Sequence, residues 1–276
     1  MDLPVRSGGF KLETYFMKHI IYQIDAFAEK VFEGNPAAVI PLDNWLPDNV
    51  MQQIAMENNL SETVFFVHEN GDFHIRWFTP LAEVNLCGHA TLASAYVLFN
   101  LLNYAEREIR FQSRSGILTV KRENNLIVLD FPASPVTEIT IPDEVAKAFH
   151  LQPVACFKGR DDFMLIFENE EQVKQLKPDF QQLVLAKTRG VICTSTSENF
   201  DFVSRFFAPA VGVNEDPVTG SAHTMLIPFW SKELDKNELI AKQVSARGGV
   251  VHCKDCGDRV KIGGKAVTYL IGEITI

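Results

Sequence analysis

The feature that most limits what this 276-residue chain can fold into is that it matches itself at a fixed offset. Arg76-Trp77-Phe78-Thr79-Pro80 returns 129 residues later as Arg205-Phe206-Phe207-Ala208-Pro209. Val84-Asn85 meets Val213-Asn214 at the same offset, and Cys87-Gly88-His89-Ala90 meets Thr219-Gly220-Ser221-Ala222 after a three-residue insertion. Upstream, Thr63-Val64-Phe65-Phe66-Val67 lies opposite Val191-Ile192-Cys193-Thr194-Ser195 at an offset of 128. Shared order at a shared offset points to one unit used twice. A unit of this length is too long for a solenoid, so the repeat predicts two related units about a pseudo-two-fold axis. Their expected spans are 17–135 and 136–276, with the last strand free to return to the first half. Residues 1–16 lack periodicity, contain Ser7-Gly8-Gly9 and precede Met17, so they read as a leader or expression extension.

Periodicity places strands near 18–27, 36–41, 63–68, 73–79, 109–113, 116–122 and 126–131 in the first unit. A helix over Asp48–Asn58 starts at Pro47 and stops at Asn58-Asn59, and a longer one runs from Gly88 to Leu102. The second unit has strands near 162–168, 190–195, 201–208, 243–251, 258–263 and 266–275, with helices at 169–176 and 220–234. Pro132, Pro135 and Pro142 form the junction. Strands outnumber helices and many join as hairpins, so the expected class is α+β, without the alternation of a doubly wound parallel sheet.

Charge and cysteine usage remove several function classes. With 26 Lys+Arg against 35 Asp+Glu, the net charge of −9 disfavours a broad nucleic-acid or anionic-membrane surface. No apolar run reaches the roughly 18 residues of a membrane span. Five cysteines, without a secretory signal, suggest reduced thiols and a cytoplasmic setting. His252-Cys253-Lys254-Asp255-Cys256 is short of the four ligands of a closed zinc site, and its flanking glycines favour a hairpin.

Both matched segments deliver a strand, a Pro-bearing turn, and a Gly where a long apolar helix begins. First-turn amides point outward unsatisfied, and glycine lets a ligand come close, so two such termini facing one cleft would hold a small carboxylate. Read alone, each glycine is an ordinary helix start. No glycine-rich nucleotide loop is present, and Gly34-Asn35-Pro36 reads as a turn.

The segments Phe32-Glu33-Gly34-Asn35-Pro36-Ala37-Ala38-Val39, Asn59-Leu60-Ser61-Glu62-Thr63, Cys87-Gly88-His89-Ala90-Thr91 and Glu215-Asp216-Pro217-Val218-Thr219-Gly220-Ser221-Ala222-His223 resemble those of the phenazine-biosynthesis PhzF-like family. The resemblance runs in order through residues 17–276. It implies the pseudo-symmetric fold shared with diaminopimelate epimerase and proline racemase, in which each half wraps a sheet around a central helix. It also implies a cofactor-independent isomerase, with no metal, that moves a proton next to a carboxylate. By match, Glu62 corresponds to the family's general acid/base. His89 and Asp216 correspond to proton-handling groups, and Gly88, Gly220 and Ser221 to substrate contacts. A homodimer follows by analogy. An amino-acid epimerase, a dehydratase, or a non-catalytic small-acid binder with the same fold are the alternatives.

The residues alone leave these roles open. Glu62 sits between a helix end and a strand, where a capping carboxylate is as natural as a base. Asp216 could cap the following helix, and Ser221 could be a plain first-turn hydroxyl. His89, near a helix start, is expected neutral because the dipole disfavours its cation. One departure is informative. Epimerases and racemases of this type use two cysteines, and here Cys87 faces Thr219 across the repeat. A threonine hydroxyl is too weak an acid to replace a thiol, which favours one-base chemistry through Glu62 and makes Cys87 a packed residue.

Overall fold

The structure, a computed structural model, describes residues 17–276; the leader assigned to 1–16 lies outside the described residues. The first strands are β1 (Lys18–Ala26), β2 (Asn35–Leu42), β3 (Glu62–Glu69), β4 (Asp72–Phe78) and β5 (Glu83–Val84), with helix α1 (Asp48–Asn58) between β2 and β3. Helix α2 (Gly88–Tyr96) follows, then β6 (Glu108–Ser113), β7 (Gly116–Glu123), β8 (Leu126–Pro132) and β9 (Thr137–Ile139). After α3 (Asp143–Ala148) come β10 (Ala155–Lys158), β11 (Asp162–Ile166), α4 (Glu170–Gln175) and α5 (Phe180–Leu185). Strands β12 (Gly190–Thr196), β13 (Phe202–Ala208) and β14 (Val213–Asp216) lead into α6 (Gly220–Leu234). The chain ends with β15 (Glu238–Gln243), β16 (Gly249–Asp255), β17 (Arg259–Gly264) and β18 (Ala266–Thr275).

The repeat is visible in the pairing. β1–β2, β3–β4, β4–β5, β6–β7 and β7–β8 are antiparallel, and the strands nine places later make the same five pairings. β2–β3 and β4–β6 are parallel, and so are β11–β12 and β13–β15. The terminal strands are exchanged. β18 returns to pair along β1, while β9 crosses the junction to pair with β10, and β8 joins β17. The α+β class is as expected.

Register moves one part of the repeat alignment. Trp77 opposes Val84, whereas its counterpart Phe206 opposes Asp216. Val84 therefore corresponds to Asp216, and the three extra residues precede this strand instead of following it. A 3-10 turn at Pro209–Val211, closed by Gly212 at φ 85°, absorbs them. Two bidentate ion pairs confirm the shift: Arg76 holds Glu83, and Arg205 holds Glu215.

The single strand expected at 243–251 is two strands, because the chain turns at Gly248 with φ 68°. The helix expected to reach Leu102 is α-helical to Tyr96 and finishes in a π-helical turn, Val97–Leu101. α1 ends where the asparagines stop it, with Asn59 left-handed. β9, α3, β10 and α5 are too short to show a period.

α2 buries every residue from His89 to Ala95, and α6 buries Ala222, Met225, Leu226, Ile227 and Trp230 in the same apolar cluster. A helix buried all round needs small side chains, which α2 supplies with Ala, Ser and Thr. Among the described residues no helix is long and apolar enough to cross a membrane.

β16 and β17 form the hairpin expected around Cys253 and Cys256. Cys253 is buried and Cys256 is exposed, as the only exposed one of the five thiols. A native titration with an aromatic disulfide should therefore modify one thiol promptly and five after unfolding; two or more fast thiols would contradict this packing.

Candidate active site

The two central helices meet at their first residues. A Cβ built on Gly88 would lie 3.4 Å from the Cα of Gly220, and the reverse is also true. A methyl group at either position would already touch the other helix, so the two backbones approach each other closely. Neither N-cap residue, Cys87 or Thr219, makes a capping hydrogen bond, although threonine is a good cap. The first-turn amides are thus left for a ligand, the usual requirement of an anion site.

Thr219 has another task. Its hydroxyl donates to Asp216 Oδ2 (2.5 Å) and accepts from Gln243 Nε2 (3.1 Å), while its amide donates to Gln243 Oε1 (2.9 Å). The fully buried Asn35 donates through Nδ2 to Asp216 Oδ1 at 2.7 Å and to Val218 O at 3.0 Å. The same nitrogen lies 3.1 Å from His89 Nδ1. Burial raises the pKa of Asp216, and its donors oppose the rise.

Glu62 is the first residue of β3, set beside Ala37 of the parallel β2. Its Oε2 lies 3.0 Å from Nε2 of the buried His89. The approach is too bent for a well-formed hydrogen bond, so both atoms are buried without a hydrogen-bond partner. Burial works against charge on His89, but the Cys87 sulfur and the Glu62 carboxylate work for it, and the balance lies above the usual imidazole range. This runs against the expectation drawn from the helix dipole: the Cys87 sulfur at 3.5 Å and the Glu62 carboxylate at 3.0 Å together favour the charged ring.

Cys87 Sγ lies 3.5 Å from His89 Nδ1. Burial, reinforced by Glu62, pushes the thiol up to about 11, so it stays protonated at neutral pH. Glu62, Cys87 and His89 bring ligand-type atoms within 4.8 Å of one another. Sulfur and carboxylate face opposite edges of the imidazole, which suits a proton path through the ring better than a shared ion.

Glu62, His89, Asp216, Gly88, Gly220 and Ser221 thus lie around two touching helix starts. Comparison with known proteins decides what such a site belongs to. The family model described as phenazine biosynthesis-like protein (PhzC-PhzF) matches residues 24–272. The chain belongs to this family. An uncharacterized isomerase of Pseudomonas aeruginosa is 49% identical over 94% of this chain and 99% of its own. The crystal structure of a PhzF family phenazine biosynthesis protein from Enterococcus faecalis superposes with a TM-score of 0.92 at 47% identity, covering 94% of this chain and all of that one. A hydroxyproline epimerase from Agrobacterium vitis shares the fold alone, with a TM-score of 0.59 at 8% identity over 94% and 93% of the two chains. As a PhzF-like chain with close relatives named isomerases, it is an enzyme of the isomerase class.

Within this PhzF-like site the two halves are chemically unequal. Thr63 opposes Phe78 and Val191 opposes Phe207, so Glu62 corresponds to Gly190. A Cβ at Gly190 would sit 2.3 Å from the Phe206 ring, which leaves no room for a second acid. The counterpart of His89 is Ser221, whose hydroxyl accepts from Arg189 Nη1 at 3.0 Å. Arg189 also donates from Nε and Nη2 to both oxygens of the buried Asp162.

Asn35, Arg189, Asp162 and Gln243 were not singled out in the sequence. Asn35 and Arg189 each stand within two residues of a glycine at a strand start, the one signal available. Gln243 carried none.

His223 couples this region to acid. Its Nδ1 hydrogen bonds Thr219 O at 2.8 Å, Nε2 is buried without a partner, and burial pushes the imidazole down to about 4. The unfolded chain takes that proton near 6.5. Stability from this group is therefore complete above pH 6.5 and lost, by roughly 3 kcal/mol, as pH falls towards 4. Urea unfolding at pH 7 and pH 4.5 should show the loss, and His223→Gln should shrink it; an unaltered pH slope would contradict the assignment.

Proposed function

We propose that this enzyme moves a proton within a small carboxylate-bearing substrate by one-base catalysis through Glu62, without a cofactor. The observation that carries the reading is the inequality of the halves. Glu62 presents a carboxylate oxygen with no hydrogen-bond partner, whereas the equivalent position is Gly190 and the second helix starts from Thr219, already committed to Asp216. The substrate carboxylate lies against the first-turn amides of Gly88 and Gly220 and the Ser221 hydroxyl. Negative charge building beside it during carbon deprotonation meets the positive ends of two helices. Glu62 removes the proton from carbon and returns it at another position on the same face, and His89 Nε2 steadies the carboxyl group between the two events. Asp216 orders the second helix start through Thr219 and Asn35.

The proposed units are 17–135 and 136–276; the recurrence of the pairings after nine strands supports two units, but it counts β9 (Thr137–Ile139) with the first set, beyond residue 135. Homodimer assembly belongs to the same proposal, with the exposed Tyr269, Leu270 and Ile271 of β18 as available apolar surface. A screen of small unsaturated, amino and hydroxy carboxylic acids in heavy water, read by mass shift, tests the function. One or more acids should be isomerised and, as the proton held by Glu62 exchanges with solvent over repeated turnovers, gain deuterium. Binding without exchange across the panel would favour a small-acid binding protein instead.

A further inference from the structure

The start of β12 differs from the start of β3 by more than a missing acid. In the first half Glu62 lies beside Ala37 of its parallel neighbour β2; in the second, Gly190 lies beside Asp162 of β11. The second half thus carries its carboxylate one strand over, where it is buried. Arg189, the residue before Gly190, takes up that carboxylate through Nε and Nη2. The guanidinium also lies over the Phe206 ring, 5.5 Å from its centroid, and the same ring fills the space above Gly190. Held in this way, it turns Nη1 to Ser221 Oγ at 3.0 Å.

The two helix starts are therefore served by different pairs. At α2, Glu62 faces His89 across 3.0 Å, and both groups can take or release a proton. At α6 the corresponding pair is Arg189 and Ser221, and a guanidinium keeps its charge at any working pH. It can only donate. Ser221 Oγ accepts from Arg189, so its own hydrogen points away from that nitrogen. Among the described residues that hydrogen meets no acceptor. The hydroxyl is half-buried on the second residue of α6, beside first-turn amides that no side chain caps. A hydroxyl hydrogen and free amides, with a fixed cation behind them and no acceptor before them, call for an anion.

We propose that Arg189 is a positioning residue that fixes Ser221 as a hydrogen donor and so seats the substrate carboxylate on the second-half side of the cleft, with the rest of the substrate towards the first half. The proposal rests on the reading of the helix starts as the carboxylate site, and not on Glu62 as the base.

The test is a double-variant cycle in binding, followed by calorimetry at pH 7 with the tightest-binding acid of the heavy-water panel. Ser221→Ala should weaken binding about tenfold or more, the share of a hydrogen bond to a charged group. Arg189→Lys keeps a positive charge near Asp162 but cannot hold Asp162 and Ser221 with one planar fork, so it should weaken binding as well. In that background Ser221→Ala should cost about threefold or less, because the two groups act through one hydrogen-bond network. A support for the fold alone would lower Tm and leave the cost of Ser221→Ala unchanged. That result overturns the proposal, as does undiminished binding by Arg189→Lys. If Arg189→Lys fails to fold, Arg189→Met/Asp162→Leu takes its place in the cycle. A crystal structure of the unsubstituted chain with the same acid needs no variant. A carboxylate at the helix starts within hydrogen-bond reach of Ser221 Oγ supports the proposal; one at the helix starts but away from Ser221 overturns it alone. A carboxylate bound elsewhere, or a panel in which no acid binds, overturns the carboxylate site with it. Glu62 enters none of these measurements.

Discussion

Glu62→Gln should lower proton exchange in heavy water by about 10²- to 10⁴-fold, the usual contribution of a positioned general base, while binding of the same acid changes little. Glutamine keeps the size of the side chain and removes its ability to take a proton. Asp216, the other carboxyl group of the site, already accepts from Thr219 and Asn35. Cys87 is held as a thiol, Thr219 is engaged with Asp216 and Gln243, and Gly190 has no side chain. His89 would remain, but it titrates above the usual imidazole range and so already holds its proton. Mass-shift rates with the first exchanging acid, together with its dissociation constant by calorimetry, separate the two effects. Exchange within threefold of the unsubstituted rate would remove Glu62 from the mechanism.

Arg189→Met should be the most damaging single change to stability around the site. Asp162 is 1% exposed, and Arg189 donates to both of its oxygens. Taking away one partner strands a buried carboxylate; because the Arg189 side chain is 38% exposed, the cost lies at the lower end of the about 3–5 kcal/mol of a fully buried pair. For a chain of this size that corresponds to a fall in Tm of roughly 10 °C. The Arg189→Met/Asp162→Leu double variant should recover much of the loss, because an apolar pair of similar volume often replaces a buried ion pair without penalty. Ser221 loses a donor in both variants, so both should bind the carboxylate more weakly. If the single variant melts within 2 °C of the unsubstituted chain, the pair does not carry this role.

The repeat made the architecture readable. Strand starts and helix starts recur because each half must bury one central helix, and the periodicity of long strands such as β3, β4, β12 and β13 is strong. Residues 136–161 and 180–185 were unreadable because elements of three to six residues carry no period, and because β9 pairs only after crossing to the other half. The position of the inserted turn was also hidden: Val84-Asn85 and Val213-Asn214 match by letter, yet strand register overrides the match.

The site divided differently. Glu62, His89, Asp216, Gly88, Gly220 and Ser221 were legible through motif resemblance and the repeated helix starts, and they do converge. The residues that set their states were not. Asn35 looked like part of a turn, and its side chain meets residues 54, 181 and 183 positions away. The charge preference of His89 was misjudged for the same reason. A helix start is local and readable, whereas the carboxylate facing it arrives from another strand.

The account's central claim is that one base works on one face of the substrate. The most direct measurement is the stereochemistry of the deuterium that the unsubstituted enzyme introduces into product in heavy water, determined by NMR. The account predicts at most one deuterium per turnover, because Glu62 returns the proton it took unless that proton first exchanges with solvent, and any deuterium arrives on the face from which the proton was taken. Delivery to the opposite face, or a racemised carbon, would contradict it and call for a second acid, for which Asp216 is the remaining carboxyl group of the site.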